Sequence, residues 1–232
     1  MLISWNTTQA CNISCLHCYR DAGDCLRDEL TTEEGKRLLD DAFACGFRIF
    51  VFSGGEPLLR PDLLELIAYA RSIGLRPVLG TNGILLTPQK VAELKQAGLA
   101  AAGISVDSVS PERHDWFRQS AGAWAATVEG MRVCREAGLP FQVHTTVMDW
   151  NEAEVLDITD KAIEWGAAAH HIFFLVPTGR GDNIKDRSLP TTQQEILLSN
   201  ILEKQRQVSI ELKPTCAPQF MRIASQKEIP MR

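Results

Sequence analysis

Arg48-Ile49-Phe50-Val51-Phe52-Ser53-Gly54-Gly55-Glu56-Pro57 is the stretch on which the fold turns. Its apolar run is too short for a helix, and it has no polar alternation. That pattern suits a strand buried on both faces, as in a parallel sheet covered by helices. Two glycines and a proline then end it. Working outward, the same rhythm repeats. Strands are expected at Leu2–Thr7, Arg48–Phe52, Arg76–Gly80, Ala101–Val106, Phe141–Val147, His170–Val176 and Val208–Leu212. Between them lie helices with readable ends. Thr31-Thr32-Glu33-Glu34 is a capping box that opens a helix reaching Gly46. Pro61–Ile73 and Pro88–Ala97 begin on proline and stop at glycine, and Trp124–Ala137 also ends at a glycine. Glu152–Trp165 and Gln193–Gln207 complete the set.

Strand and helix alternate over about six units, which implies an α/β fold with a parallel sheet and right-handed crossovers. A closed eight-fold barrel usually needs about 250 residues. With 232 residues, an incomplete barrel and an open doubly wound sheet both fit. In either, ligands collect at the C-terminal ends of the strands. Those ends carry Cys11 to Cys18, Ser53-Gly54-Gly55-Glu56-Pro57, Thr81-Asn82-Gly83, Ser105-Val106-Asp107, Thr145-Thr146 and Pro177-Thr178-Gly179-Arg180-Gly181.

The composition narrows the function. A charge of 24 − 29 = −5 argues against nucleic acid as a main partner. No apolar run is long enough to span a membrane. The opening Met1-Leu2-Ile3-Ser4-Trp5 has no signal-peptide pattern, so a cytoplasmic protein is expected. In a reducing compartment, clustered cysteines suggest metal more than disulfides.

Cys11, Cys15 and Cys18 supply three thiolates from one loop. Three ligands on a metal centre leave a coordination position open, as catalytic sites do. Spacing favours iron–sulfur over zinc only modestly, and His17 is zinc's candidate fourth ligand. Cys45 and Cys134 fall in helical segments and read as buried small hydrophobes. Cys25 reads as a loop bystander.

Gly54 and Gly55 allow close backbone approach to a ligand, Glu56 can accept from an amine, and Pro57 stiffens the exit. A plain strand-to-helix turn explains the tetrapeptide equally well in isolation. Ser105 and Asp107 point the same way at a strand end and suit a ribose diol. An N-cap for the segment Pro111–Trp116 is the alternative for Asp107. Asn82 fits a turn or a ligand contact. His170 and His171 face opposite sides of their strand, so one is expected to be structural or substrate-facing. His144 and His114 are similarly open. Arg180 suits a substrate carboxylate or a solvated loop.

Taken together, the cysteine spacing, Gly54-Gly55-Glu56-Pro57 and Ser105-Val106-Asp107 resemble the radical S-adenosylmethionine (SAM) superfamily. The resemblance implies an incomplete (β/α)6 TIM-like barrel. It also implies a 4Fe–4S cluster on Cys11, Cys15 and Cys18, with SAM on the open iron. Tyr19 then matches the aromatic after the third cysteine. Gly54, Gly55, Glu56 and Pro57 hold the methionyl amine, Ser105 and Asp107 lie near the ribose, and Asn82 and Arg118 are further SAM-pocket candidates. The implied chemistry is reductive cleavage of SAM to a 5′-deoxyadenosyl radical, which abstracts hydrogen from a substrate. A reduced flavodoxin or ferredoxin is the implied electron donor.

A narrower resemblance rests on Ser4-Trp5-Asn6-Thr7-Thr8, the run Phe50 to Asp62, the run His170 to Gly181 and Lys213-Pro214-Thr215-Cys216-Ala217-Pro218. These are similar to the NirJ/AhbD group of heme d1 and alternative heme biosynthesis. That group implies an iron porphyrinoid substrate whose propionates are removed or oxidatively decarboxylated, with His144, His171 and Arg180 as substrate candidates. It divides the chain into a core over 1–212 and the start of a C-terminal auxiliary-cluster region over 213–232, cut short at Arg232. Cys216 is the candidate ligand of that second iron–sulfur cluster. A radical SAM peptide maturase and a zinc-stabilised binding module are the competing readings.

Overall fold

The computed structural model describes residues 1–228. The chain divides into two compact units. One comprises Met1–Ser14, Arg20–Ile104 and Ala125–Phe141, and the other Cys15–Tyr19, Ser105–Trp124 and Gln142–Arg232.

In the first unit, β1 (Leu2–Asn6), β2 (Ile49–Ser53), β3 (Arg76–Thr81) and β4 (Ala101–Ser105, belonging here through Ile104) lie side by side in sequence order, all parallel. Helices α1 (Thr32–Ala44), α2 (Leu63–Ser72) and α3 (Pro88–Gln96) connect them. The expected run Arg48–Phe52 is β2, one residue later at each end. Phe50 and Phe52 are fully buried, each contributing roughly 1.5–3 kcal/mol of hydrophobic stabilisation. Trp5 meets both rings, with centroids 6.3 Å away. Gly35 of α1 leaves room for it, since a Cβ there falls 2.9 Å from the indole. The capping box at Thr31 and Glu34 forms as expected.

The second unit contains α4 (Pro111–Arg118) and the parallel strands β5 (Phe141–Val147, from Gln142), β6 (Ala169–Phe174) and β7 (Glu211–Thr215), again adjacent in order. Between them run α6 (Val155–Trp165) and α7 (Thr191–Gln205), and α8 (Gln219–Gln226) follows β7. Helix α5 (Ala123–Glu136) belongs to the first unit from Ala125 onward.

Several expectations shift. The last strand lies three residues later than Val208–Leu212. Pro214 is tolerated there because β7 pairs only with β6. The expected boundary at residues 212 and 213 therefore falls inside a strand, and residues 229–232 of the proposed C-terminal region lie outside the described residues. The loop at Gly179 winds into 3-10 turns over Gly179–Arg187. Helix α4 runs two residues beyond the expected segment Pro111–Trp116, and α8 was not expected from the sequence. Ser110, not Asp107, caps α4. Cys134 is buried, but Cys45 sits at the exposed C-cap of α1 rather than in a core. Among the described residues no helix is long and apolar enough to cross a membrane.

Candidate active site

In the first unit the glycine pair serves the cysteine loop. The Gly55 N–H donates to the Thr8 carbonyl (2.8 Å) and the Glu56 N–H to the Ala10 carbonyl (2.7 Å). Gly54 adopts φ 145°, and a Cβ there would lie 2.5 Å from the Thr8 oxygen. One on Gly55 would press closer still on the Ala10 oxygen. Both positions need glycine because backbone lies against backbone. The chain leading into Cys11 is thus laid on the end of β2.

Glu56 is buried, and its carboxylate accepts from Thr81 Oγ1 (2.9 Å), the Asn82 N–H (2.9 Å) and the Leu58 N–H (3.1 Å). Burial pushes its carboxyl up to about 7 against these hydrogen bonds. The structure therefore makes the Glu56 side chain a brace for the β3 end rather than an exposed amine acceptor. Asn82 is likewise occupied. Its amide donates to Asn12 Oδ1 (2.7 Å), beside Cys11, while its own Oδ1 accepts from the Ile84 N–H (3.0 Å).

Two residues that the sequence reading missed hold the same loop. Arg60 is buried and donates to the Thr7 carbonyl (2.6 Å) and the Leu30 carbonyl (2.7 Å). Glu29 accepts from the Gln9 N–H (2.6 Å) and Thr8 Oγ1 (3.0 Å). Arg60 lies within the run Phe50 to Asp62 but was given no role there, and Glu29 sits in no motif, so tertiary contact reveals what each does.

The second unit contributes Cys15 and Cys18. The Cys18 N–H turns back to the Cys15 carbonyl (3.3 Å), and the Leu16 N–H donates to the Phe117 carbonyl (3.0 Å). The His17 ring stacks on Phe117 with centroids 4.3 Å apart, and its Nδ1 is buried with no hydrogen-bond partner. Burial lowers its pKa well below the usual histidine value.

Arg118 of α4 places Nη1 3.7 Å from Cys15 Sγ and forms a buried ion pair with Asp107 (Nη2 to Oδ2, 2.6 Å). The second Asp107 oxygen accepts from the Thr146 N–H (2.8 Å), and Asn151 donates to the Asp107 carbonyl (2.8 Å). Asp107 is fully buried. Its carboxylate orients Arg118. Burial pushes the Cys15 thiol up, and Arg118 pulls it the other way. Ser105 remains half-buried and Tyr19 is exposed.

Arg180 holds the cysteine segment from the other side of the chain's sequence. Its Nε donates to the Cys15 carbonyl (3.0 Å) and its N–H to the Cys18 carbonyl (2.9 Å). Gly179, at φ 57°, has no room for a Cβ beside the Cys18 and Tyr19 backbone. This turn clasps the cysteine segment. His170 is buried and meets Thr145 Oγ1 and Thr159 Oγ1, each at 2.9 Å, a structural placement.

In the first unit buried polar groups position the chain leading into Cys11, and in the second others position the stretch of Cys15 and Cys18. Residues 5–162 match the Radical SAM superfamily. The chain belongs to that superfamily. Radical SAM membership implies SAM and a 4Fe–4S cluster. The donors fit: none of the seven cysteines is in a disulfide, and a guanidinium stands beside one of the three loop thiols to offset thiolate charge. Among the described residues no three His, Cys, Asp or Glu side chains are gathered as a metal site.

Two relatives are informative. The AdoMet-dependent heme synthase of Methanosarcina barkeri is 44% identical over 227 residues, covering 97% of this chain and 64% of that protein. The Fe-coproporphyrin III synthase of the same organism is 37% identical over 208 residues, covering 89% of this chain and 52% of that one. The chain therefore spans between half and two thirds of these relatives. The crystal structure of Streptococcus suis SuiB bound to S-adenosylmethionine matches all of this chain and 53% of its own, at TM-score 0.77 and 14% identity. That likeness shows the fold, the incomplete β/α barrel of the radical SAM core.

Proposed function

We propose that this chain is the core of a radical SAM enzyme that alters the propionate side chains of an iron porphyrinoid, by oxidative decarboxylation or side-chain removal. The observation that carries this reading is the 44% identity, over 97% of the chain, to a heme synthase.

When bound, the cluster and SAM supply one-electron chemistry that ends in hydrogen abstraction. The residues of the chain prepare for it. Cys11, Cys15 and Cys18 hold the cluster. Arg118 offsets thiolate charge at Cys15, and Asp107 keeps Arg118 in place. The backbone of Gly54 and Gly55 would hold the methionyl amine of SAM. Ser105 would lie near the ribose, with Tyr19 and Pro57 as further cofactor-binding residues. Glu56, Asn82 and Arg180 act through the loop they brace. The core runs through β7, and Cys216, just after it, ligates an auxiliary iron–sulfur cluster. A flavodoxin or ferredoxin supplies electrons in a reducing cytoplasm, which suits seven cysteines outside disulfides.

Anaerobic reconstitution followed by dithionite, SAM and Fe-coproporphyrin III tests the reading. The expected result is porphyrin-dependent formation of 5′-deoxyadenosine together with a lighter porphyrin. SAM cleavage with an unchanged porphyrin contradicts the substrate assignment.

A further inference from the structure

Strands β5 and β6 pair so that His144 lies opposite His171. The two rings stack, with centroids 5.0 Å apart and planes within 11°. Phe173 closes the group, 5.3 Å from His144 and 6.4 Å from His171. His170, between them in sequence, points the other way and bonds Thr159 of α6. The stacked pair therefore occupies the sheet face turned away from α6.

The two rings differ in what they touch. His144 Nε2 has a long contact with Gln142 Oε1, 3.5 Å. His171 makes no side-chain hydrogen bond among the described residues, yet it is only half-buried. Burial lowers the pKa of both, that of His144 to about 3. Both are neutral at pH 7, the form that keeps a nitrogen lone pair for a metal. A neutral, partly accessible imidazole held flat by a second ring and a phenyl is a prepared ligand.

Two cations and one anion, Glu211 of β7 on the same face, set the surroundings. Lys213 of β7 pairs with His171 in the strand register, which puts it on the same face. Its charge reaches His171, and that of Arg118 reaches His144. The pair thus lies within electrostatic range of the guanidinium that flanks Cys15.

We propose that His171 is an axial ligand to the iron of the tetrapyrrole substrate, with His144 as the positioning residue that fixes its ring plane and Lys213 receiving a propionate. This rests on the porphyrinoid reading above and adds to it how the macrocycle is held. The lone pair of one His171 nitrogen forms the bond to iron, and no electron changes hands.

The test uses Fe(III)-coproporphyrin III and metal-free coproporphyrin III, titrated anaerobically without SAM and followed by absorption and electron paramagnetic resonance. The wild type should give the spectrum of nitrogen-ligated iron. His171→Phe keeps a ring against His144, and circular dichroism checks its fold. It should lose that spectrum, regain it with added imidazole, and bind the iron form roughly tenfold more weakly while binding the metal-free form unchanged. Lys213→Ala should weaken both forms alike. Identical iron spectra in wild type and His171→Phe overturn the ligation and leave the porphyrinoid reading standing. Failure of the wild type to bind either porphyrin overturns that reading and this proposal with it.

Discussion

Arg118 Nη1 lies 3.7 Å from the sulfur of Cys15. The contact joins a buried cation to a proposed cluster ligand, and Asp107 holds the cation from behind. Removing Arg118 strands a buried carboxylate. Arg118→Met should cost about 3–5 kcal/mol in denaturant unfolding of the apo protein. Adding Asp107→Asn should recover part of that loss, because the stranded charge disappears. A double variant no more stable than Arg118→Met would show that Asp107 carries no such burden.

The glycine pair gives a steric prediction with an internal control. A Cβ on Gly55 drives into the Ala10 and Gln9 carbonyls, whereas one on Gly23 meets nothing within 4 Å. Gly55→Ala should destabilise by about 2 kcal/mol or more and lower the iron bound after reconstitution several-fold. Gly23→Ala should stay within roughly 0.5 kcal/mol of wild type. Thermal melts and iron analysis of both variants check this.

Glu56 gives a pH signature. Its carboxyl titrates at about 7 in the folded protein against 4.5 as the ordinary value. The folded state therefore binds this proton more tightly than the unfolded one. The stability it contributes is complete below pH 4.5 and is lost as pH rises through 7. The span is worth roughly 3 kcal/mol. Glu56→Gln cannot titrate, so its unfolding free energy should fall less between those pH values than that of the wild type. Parallel urea titrations at several pH values read the difference directly.

Arg180 separates loop positioning from substrate contact. Its bonds to the Cys15 and Cys18 backbone predict that Arg180→Ala loses cluster iron faster and cleaves SAM more slowly even without porphyrin. A variant with normal cluster retention and only a raised KM for the porphyrin would return Arg180 to the substrate.

Local signals and tertiary signals divided cleanly in this chain. The apolar run ending at Ser53, the capping box at Thr31 and the glycine stops gave most of the βα alternation, because each is decided within a few residues. The cysteine spacing pointed to the site for the same reason. The partners of Asp107, Glu56 and Arg180 were not legible. Thr146 lies 39 positions from Asp107, and Cys15 lies 165 from Arg180. A carboxylate or guanidinium at a strand end reads as a ligand contact until its buried partner is known. Arg60 and Glu29 were invisible because single charged residues carry no periodicity. The late start of β7 follows from its ladder to β6, which begins with Glu211 opposite Ala169, and the proline at 214 gave no sign that the strand extends past it.

Deuterium transfer tests the central claim most directly. Fe-coproporphyrin III deuterated on its propionate methylenes is incubated anaerobically with the reconstituted protein, SAM and dithionite, and the 5′-deoxyadenosine is examined by mass spectrometry. The account predicts one deuterium in the 5′-deoxyadenosine and a porphyrin with an altered propionate. Unlabelled 5′-deoxyadenosine beside an intact porphyrin would contradict it.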